Sequence, residues 1–427
     1  MAGVRAKQMS RKSVKFGSFL RNHIDDTDRF KKWLQFGIGF ENFRRRYFPD
    51  RNRPRFVNTV NHLALEEVYL AIKGSNTAWV NLMAPSELLL SAGLNPVSAE
   101  GISGAFSSMH LEDTAIAYSS RAGISDSLCT FHRASLGVSM RKLLPPPKLV
   151  MTTSILCDGN LPTFKRIARE YDVPFVLIDV PRGRKREAVG YVLSQLKEVI
   201  CTIEEITGTA FKMEELSLRL SCERELMGNL DEIRARAKTA YLPLHLYEHM
   251  NSLYVLHSLA GDRRIAAASR NVGESLEAIP EDARRILWLH IPPYYDNELF
   301  NLFLPGSKNL VISNELMWDW MYPLDPQRPL ESLAEKLVYN PLCGSVVDRG
   351  DYCLNLARDF SADGVIHFSH WGCRQSAAGV SYLKKVFEEK NIPFLELTGD
   401  CVDHASQGAG QLRTRTEAFL EIMEKRK

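Results

Sequence analysis

Residues 149–179 read LVMTTSILCDGNLPTFKRIAREYDVPFVLID. LVMTT is an apolar run of strand-forming residues, and LPTFKRIAREYD places Phe164, Ile167 and Ala168 on one helical face. VPFVLID is a second apolar strand, stopped by Pro181. Continuous apolar strands joined by a helix indicate parallel pairing in a sheet covered on both sides. The order recurs in residues 367–397, HFSHWGCRQSAAGVSYLKKVFEEKNIPFLEL: strand, cysteine, helix, short turn, then a strand opening with Ile-Pro-Phe where the first has Val-Pro-Phe. The recurrence reads as a duplicated open α/β unit. The expected fold class is α/β, with two doubly wound domains of Rossmann or flavodoxin type, small parallel sheets and helical additions.

Working outward, VNTVNHLALEEVYLAIK (57–73) has helical spacing, TAWVNLM (77–83) reads as a buried strand, and PSELLLSAG (85–93) as a helix between Pro and Gly. A helical stretch runs from about 187 to 260, broken near Gly208 and Pro243. The second unit opens with RILWLHI, followed by DNELFNLFL as a helix and NLVISNE as a strand. Residues 350–360 read as a helix, ADGVIHFSH and IPFLELTG as strands, and RTRTEAFLEIMEKRK as the closing helix. The division this implies is a basic helical extension over 1–56, a first α/β domain with a helical insertion over 57–265, and a second α/β domain over 266–427.

The 427 residues are 45% hydrophobic and 25% charged, ordinary values for a globular chain, which exclude a disordered polymer, a collagen and a small disulfide scaffold. No apolar run approaches the ~18 residues of a membrane span. The start, MAGVRAKQMSRKSVKF, has no apolar core of a secretory signal. A soluble cytoplasmic protein is expected. The net charge of +3 hides an asymmetry: residues 1–56 hold 15 basic and 5 acidic side chains, and the remainder 39 basic and 46 acidic. Such an arm can meet nucleic acid, anionic lipid or an acidic partner. The reading favoured here is a solvated amphipathic extension, with no nucleic-acid partner, held on the body by Phe40, Phe43, Tyr47 and Phe48 around Arg44-Arg45-Arg46.

There are eight cysteines and no CxxC pair, against a zinc ribbon or a thioredoxin-like site. Cys201 and Cys222 fall in helical patterns and are expected as buried core thiols. Cys343 and Cys353 flank a turn. Cys157 and Cys373 each follow an apolar strand, and Cys129, in SLCTFHRASLG, precedes a helical segment. Open parallel sheets bind ligands beyond the carboxyl ends of their strands. Three thiolates there suit a soft metal or cluster, and they lack the local pairs of a structural zinc. Three ligands would leave one iron of a cubane open. Spacing alone leaves the alternative of buried core cysteines open. His132 and His370 read as hydrogen-bonding neighbours rather than ligands. GDCVDHASQGAGQ (399–411) is either a phosphate-approaching loop or plain surface, with Cys401 a spare thiol near the site. No P-loop occurs.

APSELLLSAGLNPVSAE, SDSLCTFHRASLG, TTSILCDGNLPTFKRIAREYDVPFVLIDVPR, HFSHWGCRQSAAG and GQLRTRTEAFLEIM together resemble the 2-hydroxyacyl-CoA dehydratase family, from about residue 60 onward. That family includes the benzoyl-CoA reductase cluster subunits and the double-cubane proteins. The resemblance implies two α/β domains meeting at a [4Fe–4S] cluster held by Cys129, Cys157 and Cys373. The WGCRQ form is nearer the double-cubane branch, which makes an [8Fe–9S] group the alternative. Glu100, in NPVSAEG, matches an active-site acid; otherwise it is a carboxylate at a helix start. Where members can show a hydroxyl upstream, this chain has Leu82. The implied activity is elimination of water from a 2-hydroxyacyl-CoA thioester through a ketyl radical. It needs a homologous second subunit and one electron from a separate ATP-dependent iron–sulfur activator. Low-potential reduction of a thioester and a non-enzymatic scaffold are the other readings.

Overall fold

The apolar strands form two four-stranded, fully parallel sheets. The computed structural model describes residues 2–295, 298–406 and 410–425, with residues 2–11 as backbone alone. The first sheet contains β1 (Thr77–Val80), β2 (Asn95–Ser98), β3 (Leu149–Thr153) and β4 (Phe175–Ile178), in the order β2-β1-β3-β4. A two-residue antiparallel ribbon follows, β5 (Ala240–Tyr241) with β6 (Glu277–Ala278). The second sheet contains β7 (Arg284–Leu289), β8 (Asn309–Asn314), β9 (Gly364–His370) and β10 (Phe394–Gly399), in the order β10-β9-β7-β8. Both are open α/β sheets whose strand order reverses once, between β1 and β3 and between β7 and β9.

The amino-terminal helices are α1 (Ala2–Arg21), α2 (Thr27–Tyr47) and α3 (Arg55–Lys73). Around the first sheet lie α4 (Ser86–Ser91), α5 (Ala99–Ser108), α6 (Glu112–Arg121), α7 (Thr130–Met140), α8 (Asn160–Tyr171) and α9 (Glu187–Thr207). The inserted helices are α10 (Met213–Arg236), α11 (Leu246–Ser258) and α12 (Arg263–Ser269). The second unit adds α13 (Pro329–Val338), α14 (Val346–Asp359), α15 (Arg374–Ala377), α16 (Val380–Glu388) and α17 (Gln411–Glu424).

Alternation along the strands sorts the cores. Trp79 and Val150 join Phe164 and Ile167 of α8 on one face of the first sheet. Ala78, Val80, Leu149 and Met151 face α9 on the other, where Leu333, Leu337 and Val338 of α13 also pack. In the second sheet, Leu287 and Val365 face α14 and α16, together with Val57 and Val60 of α3. Ile286, Trp288, Ile366 and Phe368 face α17 and, with it, Cys129, Phe131 and Ala134 at the start of α7. The apolar cores therefore interlock across the 265/266 position, which itself lies inside α12.

Several local expectations change. β2 escapes the period-2 pattern because Pro96 sits in it; it is an edge strand, where a missing amide is tolerated. Of the helix expected over DNELFNLFL, residues 296–297 lie outside the described residues and the rest holds a 3-10 turn, Glu298–Leu302; Pro305 disfavours helical backbone at Leu304. The arm is helical, but its exposed aromatics do not hold it: Phe40, Phe43, Tyr47 and Phe48 are 64%, 53%, 57% and 66% exposed. Helical register instead points Phe30 and Leu34, with Leu20 and Ile24, into the core beside Phe106. Cys201 is exposed, not buried: α9 buries Val192, Leu196, Val199 and Ile203, and Cys201 lies on the opposite face. Among the described residues no helix is long and apolar enough to cross a membrane.

Candidate functional site

The two switch points face one cavity of about 80 Å3. Asn81, Leu82 and Met83 enter it from the end of β1, Leu156 and Cys157 from beyond β3, His290 and Ile291 from beyond β7, and His370 and Cys373 from β9 and its loop. Cys129, the residue before α7, completes the set. Thus the structure brings together the three cysteines singled out in the sequence, from three distant segments.

Backbone geometry makes this approach possible. Gly372 has φ +74°, and a Cβ there would lie 2.9 Å from both N and Cα of Cys129. Only glycine lets the β9 loop reach the start of α7. On the other side, Leu156 turns the chain with φ +71°, a conformation bulky side chains rarely adopt. A Cβ at Gly159 would sit 3.4 Å from Cys157 Sγ and 2.9 Å from His132 Nε2.

Each thiol has a histidine. Cys129 Sγ is 3.1 Å from His370 Nε2, Cys157 Sγ 3.2 Å from His132 Nε2, and Cys373 Sγ 3.8 Å from His290 Nε2. His290 is not among the sequence candidates, although it is the histidine of RILWLHI and directly follows β7, where the rule that ligands sit at strand ends would have found it. Burial, then the neighbouring Cys373 and Cys157, push the Cys129 thiol well up. Burial lifts Cys157 to about 12 and raises Cys373. Burial lowers His132 to about 4 and His370 to about 3, and pushes His290 well down. At neutral pH the cavity therefore holds neutral thiols and neutral imidazoles. Thiols held neutral in this way, Cys129 buried and Cys157 and Cys373 half-buried, ionise when a cation takes their protons' place, so the donor set fits a thiolate-bound metal group. Cys401 is near but does not line the cavity; it is fully buried and its Sγ faces Ile291 O at 3.5 Å.

Glu100 also lines the cavity, at the second position of α5. Capping there falls to Ser98, whose Oγ accepts from Gly101 N at 3.1 Å and donates to Glu100 Oε2 at 2.9 Å. Burial raises the Glu100 carboxyl. Behind it, Glu67 is lifted by burial to about 7 while accepting from Ser98 N and Ser258 Oγ. Tyr254 lies between this cavity and a larger, mostly apolar one of about 230 Å3, lined by Glu67, Gly101, Gly104, Met250, Tyr294 and Arg45 of the arm.

Among the described residues, the amides at the start of the loop after β10 are directed to protein groups. Cys401 N donates to His370 Nδ1, Val402 N and Asp403 N to Asp400 Oδ1, and His404 N to Glu112 Oε1. Residues 407–409 of that loop lie outside the described residues. Glu112, Asp403 and His404 form a second group of potential ligand atoms, in which Glu112 and His404 are already bonded to each other.

The profile of the 2-hydroxyglutaryl-CoA dehydratase D-component family matches residues 81–423. The (R)-2-hydroxyisocaproyl-CoA dehydratase alpha subunit of Clostridioides difficile is 23% identical over 402 residues, covering 86% of this chain and 96% of that one. The lactoyl-CoA dehydratase alpha subunit of Anaerotignum propionicum is 21% identical, covering 82% and 92%. A benzoyl-CoA reductase subunit of Thauera aromatica is 22% identical, covering 72% and 79%. With its matched span covering every strand of the two sheets but β1 and all three cavity cysteines, the chain belongs to the 2-hydroxyglutaryl-CoA dehydratase D-component family.

Proposed function

We propose that this chain is the iron–sulfur subunit of a 2-hydroxyacyl-CoA dehydratase, a lyase. The observation that carries the reading is the convergence of Cys129, Cys157 and Cys373 with Glu100 on one cavity at both switch points. The three cysteines would hold a [4Fe–4S] cluster. When bound, it would supply one-electron reduction of the thioester and Lewis acidity, the chemistry that loss of a hydroxyl beside a non-acidic β-hydrogen requires.

The protein's own residues do the rest. Leu82, Met83, Phe131, Leu253 and Leu316 wall the cavity and keep bulk water from a reactive radical. Glu100, with its carboxyl held protonated more readily by burial, donates a proton from its carboxyl to the departing hydroxide, which leaves as water, and regains one from the hydrogen lost at C3. The larger cavity, reached past Tyr254, accepts the acyl part of the substrate. The overall change is loss of OH from C2 and H from C3 as water, with no net oxidation. Relatives named as alpha and beta subunits, such as the two (R)-phenyllactyl-CoA dehydratase subunits of Clostridium sporogenes, support a homologous second subunit. A separate ATP-hydrolysing activator would deliver the electron.

Anaerobic purification with iron, sulfide and EPR measurement tests the cluster; Cys129→Ala, Cys157→Ala and Cys373→Ala should each lose iron, and full iron in all three overturns the assignment. Glu100→Gln should keep cluster and fold while turnover of a 2-hydroxyacyl-CoA, with activator and partner, falls at least tenfold. A parental rate removes the acid role. Reduction of an unsaturated or aromatic thioester without any dehydration makes the chain a reductase subunit, the activity named for the Thauera aromatica relative.

A further inference from the structure

The three histidines beside the thiols are not equivalent. Cys401 N donates to His370 Nδ1 at 3.0 Å, so that nitrogen offers its lone pair. A neutral imidazole with Nδ1 accepting carries its hydrogen on Nε2. That nitrogen is the one 3.1 Å from Cys129 Sγ. The ring cannot turn away: His370 is 1% exposed, its own amide donates to Ser376 Oγ at 3.1 Å, and Phe131 meets it edge-on with centroids 5.3 Å apart. His290, by contrast, lies 3.8 Å from Cys373 Sγ, and among the described residues its buried Nδ1 has no partner to fix a tautomer. For His132, the Nε2 contact to Cys157 alone bears on the ring among the described residues.

We infer that His370 is a positioning residue that donates a hydrogen bond from Nε2 to the Cys129 thiolate, its tautomer fixed by the Cys401 amide, and that this bond sets the reduction potential of the group Cys129 helps to hold. The inference rests on the cluster reading above. An N–H donor to a ligand sulfur stabilises the more negative, reduced state and so raises the potential. The sequence offered Cys401 as a spare thiol; the structure gives its backbone the role instead.

Two measurements separate this inference from the cluster reading. In the metal-free protein, long-range 1H–15N spectra should show His370 as the Nε2–H tautomer; an Nδ1–H ring overturns the inference whether or not a cluster binds. In the anaerobically reconstituted full-length chain, an EPR-monitored redox titration should show a lower midpoint potential for His370→Leu than for the parent. His370→Gln, whose amide NH2 reaches the same place, should return the potential toward the parent value. Cys401→Ser keeps the amide and should leave the potential unchanged. An unchanged potential in His370→Leu at full iron content overturns the inference. If the Leu variant loses iron, the Gln variant decides: a parental potential supports the hydrogen bond, and a lowered one overturns it. Absence of iron and sulfide from the parent, with the Nε2–H tautomer intact, defeats the cluster reading and leaves the hydrogen bond standing.

Discussion

The two sheets deliver a cysteine to the same cavity by different means. Behind Cys157 the brace is neutral: Asn81 Nδ2 donates to Thr153 Oγ1 at 3.2 Å, and Asn81 Oδ1 accepts from Thr153 N at 3.0 Å, tying the ends of β1 and β3 together. Behind Cys373 the brace is ionic. Arg349 of α14 grips Glu315 through Nε at 2.6 Å and through a second nitrogen at 2.8 Å. Glu315 accepts from His290 N at 3.0 Å, while Arg349 donates to Gln375 O at 3.0 Å, in the helix that follows Cys373. Both charged groups are buried. A neutral brace broken on one side leaves an unsatisfied amide; an ionic one leaves an uncompensated charge. The second half should therefore be the brittle one.

Arg349→Leu is expected to have the largest effect, about 3–5 kcal/mol of stability, because it strands the Glu315 carboxylate in the interior. It should also lower iron content, since Gln375 and His290 are both positioned through this pair. Asn81→Ala should cost only about 1–3 kcal/mol. Chemical denaturation of both variants checks the order, and equal losses break the comparison.

Acid sharpens it. Burial works against ionisation of Glu315, yet Arg349 beside it holds the carboxyl down to about 2. A carboxyl lowered on folding contributes stability above its ordinary value near 4.5, and that contribution is lost as pH falls toward 2, because the unfolded chain binds the proton first. Glu315→Gln should flatten the stability profile over this window, while Asn81→Ala should leave its slope intact. Denaturation midpoints measured between about pH 5 and about pH 2.5, spanning the ordinary carboxyl range, give both slopes.

Next in size is Gly372→Ala. Its φ of +74° and the 2.9 Å approach to Cys129 make any side chain there both strained and blocked by backbone. The expected cost is about 1–3 kcal/mol, with loss of iron out of proportion to the loss of stability. Gly159→Ala meets a side-chain nitrogen and a sulfur rather than backbone, so it should be milder. Iron-to-protein ratios of the two folded variants test the ranking.

What the sequence made legible follows from which physics is local. The units around Cys157 and Cys373 are readable because buried parallel strands are written as continuous apolar runs, and each cysteine sits shortly beyond the end of one. β2 is not, since Pro96 breaks the pattern and its place at the sheet edge is known only from the pairing. The convergence of Cys129 with Cys373 depends on a backbone contact at Gly372, which no periodicity records. The ionic brace joins residues 34 positions apart in sequence, and neither charge is marked as buried by its neighbours. The aromatics of α2 mislead because both faces of that helix carry apolar residues, and only packing shows that Phe30 and Leu34 are the anchored pair.

The smallest effect should come from Cys201. Along α9 the buried residues Val192, Leu196, Val199 and Ile203 advance by three or four, the step that keeps to one helical face. Cys201 lies two residues beyond Val199, about 200° around the helix, and it is exposed to solvent. No ligand role falls to it, because the cavity proposed to hold iron is lined by other thiols. Cys201→Ser should therefore change stability by no more than about 0.5 kcal/mol and leave iron unchanged. The folded protein should also lose its fastest-labelling thiol toward maleimide, since Cys222, Cys343, Cys353 and Cys401 are all buried. Undiminished rapid labelling in that variant would mean either that the half-buried Cys157 or Cys373 reacts as fast as Cys201 or that one of those four opens to solvent. Cys401 is the one to examine first, because its backbone amide reaches into the site through His370.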